Sequence, residues 1–161
     1  MQVESCRFGT VEVPEGRVVR FVRPILGFGQ WTDYAFIEDE ASRPVFWAQC
    51  VEAPEVLFPL VDAYLVVEDY GLELDDADAA AIGLERAEDA RLLLLLTLSL
   101  DPQSITANLR APVVWNTRDA TAMQVVLQSR ELPVRYPVHP GAGERRRNKE
   151  VARACANPPQ G

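Results

Sequence analysis

The chain has 161 residues, 48% of them apolar, and carries a formal net charge of −8 at pH 7. This length fits one domain with one core, and this apolar fraction argues against global disorder. The N-terminus lacks the basic and apolar regions of a secretory signal, and the leucine-rich run 92–100 is far shorter than the roughly 20 residues of a membrane span, so we expect a cytoplasmic protein without a membrane partner.

The first two thirds of the chain are predicted to form mainly strands. Val11–Val13 and Arg17–Val22 are strand-like, and Pro14 and Gly16 supply turn chemistry between them. The apolar loop 24–29 contains two glycines, which indicates positive φ angles or a close chain approach. β-branched and aromatic residues predict three further strands, of which Pro59 places the last at an edge or a bend: Tyr34–Glu38, Pro44–Val51 and Val56–Val61.

One short helix is predicted over 77–82. Asp75 and Asp76 can cap its N-terminus and place negative charge at the positive end of the helix dipole, and Gly83 is a natural stop. A core-facing stripe is expected from four apolar side chains: Leu74, Ala77, Ala81 and Leu84.

The leucine-rich segment 91–100 is predicted to be a buried strand. It follows a helix that has already ended, and it runs into the turn Asp101-Pro102. Three more short strands are predicted over Ser104–Leu109, Val113–Trp115 and Met123–Leu127. Many short strands with turns between them favour a mainly β fold, an antiparallel sandwich or a small closed barrel, with one short helix.

The charge divides the chain into two regions. Residues 1–140 hold 11 arginines and no lysine against 22 acidic residues, a net of −11, and residues 141–161 have a net of +3. We expect a β domain over 1–140 and a flexible, disordered basic tail over 141–161. An acidic body repels phosphate, which argues against direct nucleic-acid binding; it either attracts a basic protein or serves solubility.

Few residues suggest catalysis or a cofactor. The one histidine, His139, sits next to the tail, and Cys6, Cys50 and Cys155 have no metal-site or disulfide spacing. The pair Gly27 and Gly29 lacks the rest of a dinucleotide fingerprint, and no phosphate-binding loop or calcium loop is present. We therefore expect no catalytic residue, no metal and no cofactor, although paired carboxylates of a β-barrel hydrolase stay open as an alternative.

The most distinctive segment reads TANLRAPVVWN over 106–116. It resembles the "TANL.AP….N" signature of the FliW family of flagellar assembly factors. Other family-like features follow in order over roughly 3–140: Phe8-Gly9, the 21–28 loop, Gln49 with Pro54 and Phe58, Asp69-Tyr70, Glu88-Asp89, and 136–140. In the loop, Pro24 stands where the family has glycine and Leu26 where it has proline. Asn108 and Asn116 are interpreted as structural amides that tie loops together.

The resemblance implies a small β-barrel-like, cytoplasmic protein that is not an enzyme. It implies binding to flagellin and, alternatively, to the RNA-binding translational regulator CsrA, which relieves repression of flagellin translation. We expect a monomer that works by competition between these two partners. A flagellin-only chaperone is the alternative that the altered residues Pro24 and Leu26 keep open.

Two groups of residues are predicted to make the contacts. Glu68, Asp69 and Glu73 are candidates for pairing with basic side chains of CsrA. The strand end with Leu98, Leu100 and Asp101 is a candidate apolar edge for strand addition by either partner. The alternative interpretation is that the acidic residues are ordinary surface charges and the leucines plain core.

Overall fold

The structure is a computed structural model, and it describes residues 1–98, 100 and 104–138. The predicted tail over 141–161, together with His139, lies outside the described residues. Within the described part, one α-helix, α1 (Asp76–Ala81), and eleven strands are connected by turns and short 3-10 segments. The strands are β1 (Gln2–Ser5), β2 (Gly9–Glu12), β3 (Val18–Phe21), β4 (Asp33–Glu38), β5 (Phe46–Cys50), β6 (Leu57–Asp62), β7 (Ala90–Thr97), β8 (Thr106–Ala107), β9 (Val113–Asn116), β10 (Thr121–Gln124) and β11 (Tyr136–Pro137).

Seven of these strands close into a barrel, in the order β7-β6-β5-β4-β3-β10-β9 and back to β7. All neighbours are antiparallel except β3 and β10, which run parallel with Arg20 opposite Thr121 and Phe21 opposite Ala122. The predicted mainly β, barrel-like fold with one short helix is therefore confirmed, with a single parallel seam that the sequence did not indicate.

The barrel interior is filled by every second residue of its strands, as the period of two in a strand requires. In β4, Tyr34 and Phe36 point inward, whereas Ala35 and Ile37 face outward. Aromatic rings dominate the inside and meet edge to face: the Phe36 and Trp115 centroids lie 5.0 Å apart. Such contacts add to the free energy gained by burying the rings.

A second apolar layer covers the outer face of β4 to β7. The β1–β2 hairpin contributes Val3 and Val13 to it, and Trp47 is the largest side chain that it covers. The Arg7 guanidinium stacks 4.5 Å from the Trp47 ring centroid and donates a 3.1 Å hydrogen bond to Ser42 Oγ. Because both faces of these strands are covered, all five residues of β5 are buried.

Helix α1 and the turn after it cover the outside of β9 and β10. The contact is made by Ile82, which packs against Val114 and Met123. The predicted N-cap is confirmed, since the Asp78 N–H donates to Asp75 Oδ1 at 2.7 Å. The predicted stop is confirmed by Gly83 at φ +67°. The predicted stripe is wrong for Ala77 and Ala81, which are exposed because a two-turn helix touches the barrel only through its C-terminal end.

Three other predictions are corrected by the strand pairing. The strands around Pro14 and Gly16 exist but belong to different sheets: β2 pairs with β1, and β3 pairs with β4 and β10. Pro59 lies in an interior strand, and the pairing of β6 with β7 begins just after it, at Leu60 opposite Leu95. Of the two loop glycines, only Gly27 has a positive φ, at +88°.

The leucine-rich run is a strand, as predicted, and β7 is the most connected strand of the sheet. It pairs with β6, β8 and β9 along its length. No helix in the described ranges is long and apolar enough to cross a membrane.

Candidate protein-binding surfaces

The predicted acidic residues lie on one segment, residues 68–78, which follows β6 and includes the first turn of helix α1; we call it the acidic segment. Glu68, Asp69 and Glu73 are all solvent-exposed. Within the described ranges, no basic side chain pairs with any of the three. These three candidates are therefore exposed negative charges that no basic side chain of the described residues neutralises.

The remaining carboxylates of the acidic segment are used differently. Asp75 caps helix α1, and Asp78 forms an ion pair with Arg23, the residue just before the 24–29 loop. Asp76 is exposed and, like the three candidates, has no ionic partner in the described part of the chain. The free charges thus form one negative surface, which can steer a basic protein partner.

Tyr70 anchors the acidic segment to the body of the protein. Its side chain is buried, and its hydroxyl donates a 2.7 Å hydrogen bond to the Leu109 carbonyl oxygen. Burial raises the pKa of Tyr70 to about 12. Val66 and Val67, just before the charges, pack against the same outer apolar layer. The negative surface is therefore held in place by a buried side chain at its centre.

The predicted apolar edge is divided. Leu98 is only 7% exposed and packs in the outer apolar layer, whereas Leu100 is 65% exposed. Asp101 lies outside the described residues. Leu98 therefore has the surroundings of a core residue, and Leu100 is the one of the two leucines whose side chain is accessible to a partner.

The asparagines of the TANL segment tie loops together, as predicted. Asn108 Oδ1 accepts hydrogen bonds from the backbone N–H groups of Arg110 and Ala111, at 3.0 and 3.2 Å, and so shapes the bend between β8 and β9. Asn116 Nδ2 donates to the Ile82 carbonyl at 2.8 Å and joins strand β9 to the end of helix α1. Both amides are structural.

Gln49 of β5 has a similar role in the barrel wall. It is fully buried, and its Nε2 lies 3.1–3.2 Å from four backbone carbonyl oxygens of the β5–β6 turn: Cys50, Ala53, Pro54 and Val56. A side-chain amide can donate only two hydrogens, so these carbonyls share them. Gln49 holds this turn closed.

One open end of the barrel carries a groove of about 460 Å³ lined by Glu38, Asp62 and Arg91, which we call the Glu38 groove. This is where paired carboxylates of a hydrolase would be sought. Arg17 donates to Glu38 at 2.6 Å and lowers the pKa of Glu38, and Arg91 lies 3.4 Å from Asp62. Both carboxylates are thus engaged by arginines, and the groove gives the hydrolase alternative no positive support.

Within the described residues, cysteines and metal ligands add no further site; Cys155 lies outside them. Cys50 is buried, which raises the pKa of its thiol, and Cys6 is exposed. Among residues 1–98, 100 and 104–138, no group of three or more His, Cys, Asp or Glu side chains is placed to hold a metal ion.

The opposite end of the barrel has a second groove that sequence reasoning missed, which we call the Leu26 groove. It occupies about 360 Å³ between the 24–29 loop, the end of β7 and residues 134–135. Its walls come from distant parts of the chain. The one signal in the sequence was Leu26, at the position where the resembled family has proline.

Comparison with known proteins agrees with this geometry. A family model described as "FliW protein" matches residues 2–138. The flagellar assembly factor FliW of Syntrophus aciditrophicus is 32% identical over 138 residues, covering 86% of this chain and 87% of that protein. The flagellar assembly factor FliW of Bdellovibrio bacteriovorus is 35% identical over 138 residues, and the matched region covers 86% of this chain and 79% of that protein.

The fold comparison points the same way. A crystal structure of the flagellar assembly factor FliW matches with a TM-score of 0.77 and 26% identity, covering 87% of this chain and 98% of that one. Similarity in sequence and in fold thus extends over nearly the whole described region, including the barrel, helix α1 and the TANL segment. The chain belongs to the FliW family of flagellar assembly factors.

Proposed function

We propose that this protein binds flagellin and CsrA in the cytoplasm and thereby couples flagellin synthesis to flagellin supply. Bound to CsrA, it relieves repression of flagellin translation. Free flagellin then captures the protein, releases CsrA and restores repression. The switch is mass action between two partners, and it requires neither a reaction nor a cofactor. The protein acts as a monomer, and the β domain over 1–140 carries the binding surfaces.

The observation that carries the CsrA part is the acidic segment. Glu68, Asp69, Glu73 and Asp76 are exposed and lack ionic partners in the described region, and Tyr70 holds them against the barrel. An RNA-binding protein presents basic side chains, so a fixed negative surface matches it in charge. Charges already held in place lose less conformational entropy when the complex forms.

The same charges make a nucleic-acid role unfavourable. A net charge of −11 over residues 1–140 repels phosphate, so the proposal places RNA contact on CsrA and not on this chain. In this proposal flagellin and CsrA compete for binding to this chain, and RNA does not contact it.

A flagellin-only chaperone is the second candidate. It is favoured by Leu26, whose side chain is 60% exposed at a position where the resembled family has proline. If this loop contributes to CsrA binding in relatives, the changes at Pro24 and Leu26 would abolish CsrA binding here. Flagellin would then be the remaining partner.

Calorimetry on the full chain with flagellin and CsrA from the same organism tests the proposal. We expect each partner to bind with a dissociation constant in the micromolar range or below, and added flagellin to displace CsrA. Binding of flagellin without CsrA would establish the second candidate. Binding of neither would refute the proposal.

A further inference from the structure

The Leu26 groove is open and mixed in character, because polar atoms share its lining surface with a floor of apolar side chains. Its floor and part of its walls are formed by these apolar side chains: Ile25, Leu26, Phe28, Phe58, Leu95 and Val134. Leu26 is 60% exposed and Val134 47% exposed, whereas Phe28 and Phe58 are buried beneath them. Two exposed aliphatic residues beside an apolar hollow form a surface that gains free energy when a partner covers it.

The groove exists because the barrel wall opens there. Strand β6 pairs with β7 only from Leu60 opposite Leu95, and β9 pairs with β7 only up to Leu93 opposite Val113. Leu96 and Thr97 therefore line the groove beyond both pairings. Beyond its barrel neighbours the strand pairs with β8, at Leu96 opposite Ala107 and Thr97 opposite Thr106, and this continuation forms one wall of the groove.

The polar atoms left unused at this groove are hydrogen-bond donors. Asn108 lines it, and because its Oδ1 already accepts two backbone N–H groups, its Nδ2 is the atom without a partner within the described ranges. Arg135 also lines it, and no carboxylate of the described residues pairs with its guanidinium. Two donors, one of them a cation, beside an apolar floor match an apolar segment that carries a carboxylate.

The walls are held before any partner arrives. Gln124 Oε1 accepts from the Leu26 N–H at 3.1 Å, and its Nε2 donates to the Ala111 carbonyl at 3.3 Å. Arg110 donates to the Leu132 and Arg130 carbonyls, at 2.9 and 3.1 Å, and so fixes the chain just before Val134. A preformed groove avoids part of the entropy cost of binding.

We propose that the Leu26 groove binds a segment of flagellin in which an aliphatic side chain enters above Phe28 and Phe58 and a neighbouring carboxylate pairs with Arg135 and Asn108. This inference rests on the proposed function. Of the two partners named there, the basic CsrA matches the acidic segment, whereas Arg135, which no carboxylate in the described part of the chain neutralises, repels a basic surface and so favours the other partner. The two partners therefore contact surfaces of opposite charge, and in this proposal flagellin displaces CsrA because the bound partners overlap in space, not because they share contact residues.

Titration of the full chain with purified flagellin and, separately, with purified CsrA tests the assignment. Arg135→Glu and Leu26→Asp each put a carboxylate where the segment needs a cation or an apolar wall. We expect each to weaken flagellin binding about tenfold or more and to leave CsrA binding within about twofold, while Arg135→Lys retains most of the flagellin affinity.

The matched controls are Arg86→Glu, an exposed arginine that does not line the groove, and Leu65→Asp, whose side chain is 63% exposed at the opposite end of the barrel. Both should bind flagellin like the unmodified chain, and thermal unfolding of all variants checks that they fold. If the two groove variants bind flagellin normally, or lose CsrA instead, the inference is wrong and the proposed function stands. If the unmodified chain binds neither partner, both fail together.

Discussion

The hydroxyl of Tyr70 donates a 2.7 Å hydrogen bond to the carbonyl oxygen of Leu109. One of these residues lies inside the acidic segment and the other inside the TANL signature, so the family motif and the candidate CsrA surface are directly connected. A motif that is structural in its own contacts therefore also positions the charges that we propose for binding.

Removing that bond should loosen the acidic segment. We expect Tyr70→Phe to lower the free energy of unfolding by about 1 kcal/mol, since a buried carbonyl loses its donor. Hydrogen exchange should increase around 66–75 more than in the barrel strands. Tyr64→Phe, at an exposed tyrosine, is the control and should change neither quantity. Unaltered exchange in Tyr70→Phe would show that the segment is held by other contacts.

Stability should fall at alkaline pH. Burial raises the pKa of Tyr70 from 10 to about 12 in the folded protein. The pKa of Tyr34 is also raised, mainly by burial and to a smaller extent by the charge of the nearby Cys50 thiolate. The unfolded chain therefore releases these protons at lower pH than the folded one. The stabilisation is present below pH 10 and is lost as the pH rises toward 12. Urea unfolding at pH 9, 10 and 11 measures the decline.

The tyrosine origin of that decline can be isolated. Because Tyr34 also contributes, Tyr70→Phe should make the slope between pH 10 and 11 shallower without removing it. A slope equal to that of the unmodified chain would assign the alkaline loss to other groups.

Charge reversal should separate specific binding from general electrostatics. We expect the double variant Glu68→Lys and Asp69→Lys to weaken CsrA binding and to reduce its dependence on salt, since it removes charges that face a basic partner. Glu52→Lys with Glu55→Lys makes the same change in net charge at an exposed turn and is the control. Equal losses in both double variants would mean that only the overall charge matters.

Gly83 should tolerate no side chain. Its φ is +67°, and an added Cβ would lie 2.6 Å from Asp119 Oδ2. We expect Gly83→Ala to cost about 1–3 kcal/mol of unfolding free energy, measured by denaturant titration. Gly71→Ala is the matched control, because a Cβ there meets nothing within 4 Å. A loss no larger than that of the control would show that the turn after helix α1 rearranges freely.

Gln49 should be needed for the barrel wall. Gln49→Leu keeps the volume similar but removes the donor shared by the carbonyls of the β5–β6 turn, so we expect a loss of about 1–3 kcal/mol. Gln128→Leu, at an exposed glutamine, is the control. Stability equal to the unmodified chain would mean that water replaces the amide at these carbonyls.

Much of the fold could be predicted because local patterns agree with it. Asp75 and Gly83 mark the ends of helix α1, and the ended helix before Arg91 distinguishes a buried strand from a second helix. The parallel pairing of β3 with β10 could not be predicted, because neither strand carries a signal for a neighbour so far along the chain. The pairing of β1 with β2 could not be predicted either, because Pro14 and Gly16 suggest a turn that would pair β2 with β3.

The candidate sites divide in the same way. Exposed charge can be read from sequence, because carboxylates such as Glu68 and Asp69 are rarely buried without a partner. The sequence does not reveal whether a leucine lies in the core or at the surface. Leu98 and Leu100 occupy equivalent positions of the same alternating pattern and differ only in what packs on them. The Leu26 groove is formed by several segments that are far apart in sequence, and no local sequence pattern predicts that they lie side by side in the folded protein.

The parallel seam has a consequence for synthesis. Arg20 and Thr121, which face each other across it, are about 100 residues apart in the chain. Contacts of such high sequence separation make folding slow, since a long loop must be ordered before the contact forms. On a ribosome, the barrel cannot close until β10 has emerged. A chain cut short before residue 121 lacks β10 and would leave the barrel open, with its aromatic interior exposed.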